Sequence, residues 1–139
     1  MKYFLDTNTC IYYLKGKSPR VRSQLLSKRP EEIKVPSIVK AELLYGAAKS
    51  QQQDKNVETV KTFLLPYEIV AFGSQEAVAY AEIRAALERA GQIIGPNDLI
   101  VAATARAAGG ILITNNTGEF QRVDQLRVAN WVERENASP

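Results

Sequence analysis

Acidic side chains are the groups through which this chain can do chemistry, and four of them occupy telling positions: Asp6, Glu42, Asp98 and Glu119. Asp98 lies in Gly95-Pro96-Asn97-Asp98-Leu99. Gly95 and Pro96 interrupt whatever precedes them, proline fits a first helical position, and Asn97 or Gly95 can cap, so Asp98 falls in a first turn. From Leu99 to Ala108 the only charge is Arg106. A helix apolar almost all round is buried, which puts Asp98 where a buried element meets the surface. An acid in a first turn can also simply complement the helix dipole, and the other motifs must decide. Asp6 follows a short strand expected over Lys2–Leu5, and Glu119 follows another expected over Ile111–Ile113. Glu42 is the only acid in a helix expected from Ile38 to about Lys49, with apolar residues on both sides. Gly46, one turn on, clears space beside it at a helix cost of about 1 kcal/mol relative to alanine. A surface glutamate is the ordinary alternative.

The residues that are missing narrow the chemistry further. There is no histidine, and Cys10 is the only cysteine. Ser-His-Asp triads, Cys-His pairs, histidine zinc sites and thiolate zinc sites are therefore excluded, as is an intrachain disulfide. Cys10 reads as a small buried apolar residue. Carboxylates without histidine or thiolate suit Mg²⁺ or Mn²⁺, which prefer oxygen ligands. Crowded like charges repel unless a cation joins them. Charge is also uneven along the chain: residues 1–50 carry ten Lys/Arg against four Asp/Glu, and residues 51–139 carry eight against eleven. Lys15, Lys17, Arg20, Arg22, Lys28 and Arg29 form the densest basic cluster, a face suited to a polyanion, although each could be a merely solvated cation.

The elements that must position these acids alternate between strand and helix. Thr7 or Asn8 can cap a helix containing Ile11, Tyr12 and Leu14. Ser18-Pro19 opens a second helix running to about Lys28, with Val21, Leu25 and Leu26 inward. A strand over Glu32–Pro36 leads to the Glu42 helix, capped by Ser37. A polar turn at Ser50–Asp54 leads to a helix over Asn56–Leu65, then a strand over Tyr67–Phe72. Ser74 caps a long helix to Ala90, on which Tyr80, Ile83, Leu87 and Ala90 recur at packing intervals. The Asp98 helix ends at Gly109-Gly110, Leu126–Trp131 can add an edge strand, and Glu133–Pro139 reads as a frayed polar tail. Such alternation predicts an α/β fold, a three-layer α/β/α sandwich with a central, mostly parallel sheet. At 139 residues the chain fits one domain, expected over 1–132 with the tail at 133–139. No apolar run spans a membrane. A start charged by Asp6 leaves no room for a secretory leader, so the cytoplasm is the expected location.

In such sheets ligands bind beyond the carboxyl ends of the strands, where Asp6, Asp98 and Glu119 converge and Glu42 can join them. Together, Leu5-Asp6-Thr7-Asn8, Ala41-Glu42-Leu43-Leu44-Tyr45-Gly46, Gly95-Pro96-Asn97-Asp98-Leu99 and Thr114-Asn115-Asn116-Thr117-Gly118-Glu119-Phe120 resemble the PIN-domain nucleases, specifically the VapC-type toxins. The resemblance runs the length of the chain, in order and at fitting spacings. It implies a Mg²⁺- or Mn²⁺-dependent endoribonuclease, dimeric, and restrained by a VapB-type antitoxin with which it forms a higher-order complex. Carried over by motif, Asp6, Glu42 and Asp98 are the metal-binding acids. Many members carry an aspartate in the last motif where this chain has Asn115 and Asn116, and Glu119 then serves as the fourth acid. Thr7, Asn8, Thr114 and Asn116 are implied as supporting hydrogen-bond partners. The Gly-Pro-Asn-Asp and Thr-Asn-Asn motifs look most like those of members that cut tRNA, initiator tRNA in its anticodon region in particular. Two rivals remain: a PIN-like module that binds RNA without cutting it, and a phosphatase opening on Asp-x-Asp, from which Asn8 departs.

Overall fold

The computed structural model describes residues 1–132, so the polar tail expected at 133–139 lies outside the described residues. Five strands form the sheet: β1 (Tyr3–Leu5), β2 (Ile33–Pro36), β3 (Glu68–Val70), β4 (Ile111–Ile113) and β5 (Arg127–Ala129). Their order is β3-β2-β1-β4-β5 and every pairing is parallel. Seven helices flank it among the described residues: α1 (Thr7–Leu14), α2 (Pro19–Ser27), α3 (Ser37–Ala48), α4 (Gln53–Leu64), α5 (Ser74–Arg89), α6 (Pro96–Ala107) and α7 (Thr117–Phe120). The three-layer α/β sandwich anticipated from the sequence is the fold.

Strand composition explains the sheet. Phe4, Leu5, Ile33, Val35, Leu112 and Ile113 are all essentially inaccessible, as central parallel strands covered on both faces must be. Tyr3 stands opposite both Ile33 and Ile111, and Leu5 opposite Ile113. The chain therefore builds leftward from β1 to β3, then crosses back to β4. That reversal beside β1 is where an open α/β sheet leaves a crevice at its carboxyl edge. The Asp98 helix, α6, buries Leu99, Val101, Ala102, Ala103, Thr104 and Ala105. The Thr104 hydroxyl donates to the Ile100 carbonyl at 2.7 Å, so this polar group enters the core already satisfied.

Several local expectations are corrected. Thr7, Ser37 and Ser74 each open a helix but none caps it: the caps are Asp6, Pro36 and Gly73. At Gly73 the reach comes from Glu76, whose carboxylate accepts the Gly73 N–H at 2.9 Å. Leu26 is exposed while Val21 and Leu25 are buried. The nine-residue α2 packs along a single i, i+4 seam, and Leu26 lies about 100° round from Leu25. Ala90 is likewise exposed, and Ala79 joins Ile83 and Leu87 on the buried face of α5. The strand expected over Tyr67–Phe72 is confined to Glu68–Val70.

Candidate active site

Asp6 is placed by backbone geometry before any chemistry is considered. It follows β1 directly, its N–H donates to the Ile113 carbonyl at 3.2 Å, and its side chain caps α1 by accepting the Thr9 N–H at 2.8 Å. One carboxylate thus ends the central strand and starts a helix. Burial raises its pKa, Thr114 and Thr9 counter this by hydrogen bonding to the carboxylate, and Glu42 adds a smaller repulsive push upward. Thr9, which sequence reading passed over, also donates its hydroxyl to the Ile113 carbonyl at 3.2 Å, tying α1 to β4 at the site.

Glu42 reaches the site from the middle of α3. One carboxylate oxygen, Oε1, accepts a short hydrogen bond from the Thr7 hydroxyl, and the other, Oε2, accepts from Asn97 Nδ2 at 3.0 Å. Asp98 and Glu119 form the second half of the site. Asp98 is pushed up to about 7 by its burial, then by its hydrogen bond to Glu119 and the charges of Glu119, Asp6 and Glu42. Glu119 is held below its ordinary value, chiefly by the same bond to Asp98, with Asn116, the Gly95 N–H and Arg122 assisting against burial. The two acids titrate as a pair, with Asp98 shifted up and Glu119 down.

The site therefore gathers Asp6, Glu42, Asp98 and Glu119, with Thr7, Thr114 and Asn116 in supporting contact. Thr114 is fully buried, and its hydroxyl also accepts the Asn116 N–H at 2.9 Å. Asn8 is exposed on α1 and has no hydrogen bond to the acids among the described residues. Asn115 is bonded elsewhere, its side-chain Oδ1 accepting from Asn130 Nδ2 at 3.0 Å. The short α7, unforeseen, presents Glu119 while burying Phe120 beneath it.

The donors fit a hard divalent cation. They are all oxygens, Asp98 is pushed toward protonation by burial and then by its acidic neighbours, and Glu119 Oε1 is buried with no hydrogen-bond partner in the protein. Unshared negative charge and an orphaned carboxylate oxygen are what a cation relieves. Among the described residues, however, no three acids are drawn together closely enough to ligate one ion. Glu42 is held by hydrogen bonds from Thr7 and Asn97, and Asp98 is hydrogen-bonded to Glu119.

Beside Glu42 lies a groove of about 470 Å³, lined by Ile11, Leu14, Leu43, Gly46 and Val60, with Lys15 and Lys49 at its sides. A Cβ built on Gly46 meets nothing within 4 Å, so the glycine does leave open space there. Cys10 is buried, and burial pushes its thiol up, which removes it as a nucleophile.

A parallel α/β sandwich with acids collected at its carboxyl edge defines the class, and comparison with known proteins supplies the family. Residues 3–126 match the PIN domain model, and the protein belongs to the PIN-domain family. It is 39% identical to ribonuclease VapC2 of Haemophilus influenzae over 132 residues, 95% of this chain and 99% of that protein. It is 37% identical to the tRNA(fMet)-specific endonuclease VapC of Shigella flexneri over 131 residues, 94% of this chain and 98% of that one. The structure resembles VapBC2 from Rickettsia felis bound to a promoter DNA fragment, with a TM-score of 0.86 and 39% identity over 94% of this chain and 99% of that one. It also resembles DNA-bound VapBC from Salmonella typhimurium, with a TM-score of 0.89 and 35% identity over 94% and 98%.

Proposed function

We propose that the protein is a Mg²⁺- or Mn²⁺-dependent endoribonuclease, the toxin of a toxin–antitoxin pair, which cuts tRNA and so blocks translation. The observation that carries this reading is the meeting of Asp6, Glu42, Asp98 and Glu119 from four separate segments at one sheet edge, with Glu119 Oε1 left unpartnered. Asp6, Glu42 and Asp98, with Glu119 as the fourth acid, would hold the cation, which when bound supplies a more acidic water and charge stabilisation at phosphate. The chain's own residues do the rest. Thr9 and Thr114 hold Asp6, Thr7 and Asn97 hold Glu42, and Asn116 and Arg122 keep Glu119 ionised. Asp98, raised by burial and its acidic neighbours, would ligate the cation as the carboxylate. The names of relatives that cut tRNA(fMet) support initiator tRNA as the substrate. Basic residues of the first half, Lys15 among them, would grip the RNA backbone.

The apolar groove beside Glu42 suits a partner segment, and the VapBC neighbours support a VapB-type antitoxin as its source, in a complex built on a homodimer. Among the described residues no helix is long and apolar enough to cross a membrane. A second reading, an RNA-binding module of weak activity, draws on the acids' failure to close on one point. Purified protein incubated with total tRNA, with Mg²⁺ or Mn²⁺ and with chelator, beside Asp6→Asn, separates the two. Discrete fragments that need metal and vanish in the variant are expected; RNA retention without fragments would favour the binding module.

A further inference from the structure

We infer that Asn97 is a positioning residue for Glu42, fixing from α6 an acid that α3 alone would leave free to turn away; this rests on the metal-site reading above. Glu42 stands at the wall of the groove, half-buried, and Gly46 one turn along α3 leaves the space beside it open. A glutamate so placed has room to swing out into the groove. Two donors prevent it. Thr7, on α1, donates to Oε1, and Asn97, on α6, donates from Nδ2 to Oε2 at 3.0 Å across 55 residues of sequence. With one donor on each oxygen, both the position and the plane of the carboxylate are set.

The chemistry of the hold matters as much as its geometry. Both donors are neutral, and no lysine or arginine pairs with Glu42 among the described residues. Glu42 is therefore fixed without being neutralised, and its charge remains available to a cation. Nor is Asn97 occupied with its own helix: the cap of α6 is Gly95, with no side-chain hydrogen bond. The consequence is that one turn of α6 supplies one acid, Asp98, and anchors another.

The test is Mn²⁺ binding to the full-length protein, followed by paramagnetic resonance, for wild type, Asn97→Ala, Glu42→Gln and the double variant. Asn97→Ala is expected to keep the wild-type melting temperature and weaken Mn²⁺ binding about tenfold, the usual scale for a partner of a metal ligand. In the Glu42→Gln background the same change should add nothing, because the group it positions is gone. The Asn97 side-chain amide resonance should also move in Glu42→Gln. An unchanged isotherm for Asn97→Ala, or an equal loss in both backgrounds, would overturn the inference while leaving the metal site standing. Failure of the wild type to bind Mn²⁺ would instead overturn the metal reading, and with it the purpose assigned to Asn97.

Discussion

Asp98 and Glu119 form a pair in which the proposed catalysis and stability pull apart. The ordinary value for Asp98 is 3.8, and in the folded chain it is pushed up to about 7, by burial first and then by Glu119. Below 3.8 both folded and unfolded chains hold the proton, and above about 7 neither does. Between these limits the folded chain holds more, so this group's contribution to stability falls as pH rises and stays low above 7. Glu119 works in the opposite sense, since its folded value is depressed and its contribution is lost as pH falls below its ordinary 4.5. With chelator present, Asp98→Asn should therefore melt higher than wild type at pH 8, by roughly 3 °C for about 1 kcal/mol after solvent screening. The gain should shrink as pH drops through 7 toward 4, and scanning calorimetry across that range checks it. Cleavage should be lost at every pH. Asp6 offers no such separation, because it caps α1 as well as serving the site. Alanine there should cost about 1 kcal/mol of stability, whereas asparagine keeps the cap and makes the cleaner control.

Among the elements, the tightest constraint is the approach of β1 to the turn before β4. A Cβ on Gly110 would lie 2.5 Å from two ring atoms of Phe4 and 3.1 Å from the Lys2 carbonyl oxygen. Phe4 is fully buried and cannot yield. Gly110→Ala should cost about 1–3 kcal/mol, the range for overpacking a filled core, read as a lower denaturation midpoint. The acids lie beyond the opposite end of these strands, so the folded fraction should keep its cleavage rate. Elements were legible wherever apolar runs met strong breakers. Gly109 adopts the left-handed conformation at the end of α6, as the Gly109-Gly110 stop suggested, and Gly16 and Gly91 do the same after α1 and α5. What was not legible came from contacts distant in sequence. Asn97 looked like a local cap, yet its partner is Glu42. Leu26 looked inward, but only a neighbouring element could decide which seam of α2 is covered. The short α7 lacks the length to show a period at all.

For the molecule as a whole, charge segregation predicts how RNA is held. Two cations of the basic first half, Lys15 and Lys49, line the groove that Glu42 also lines. Binding of tRNA to Asp6→Asn, which the proposed site leaves unable to cut, should fall steeply with salt, and Lys15→Ala should lower the slope of log affinity against log salt by about 1. An unchanged slope would move the RNA path away from this groove. The four acids and the alternation of elements were visible in sequence because each acid follows a strand or lies in an apolar helix. Their failure to close on one point was not, since the separation of side chains drawn from four segments is set only in three dimensions. The last strand has a different use. Trp131, the only tryptophan, is buried against Tyr3 at a centroid separation of 5.7 Å, with the Lys28 ammonium 5.6 Å from its ring. It follows the last strand and touches the first, so its indole emission is an internal optical gauge of sheet closure. A red shift on heating or in denaturant should therefore track loss of the complete sheet with no added dye.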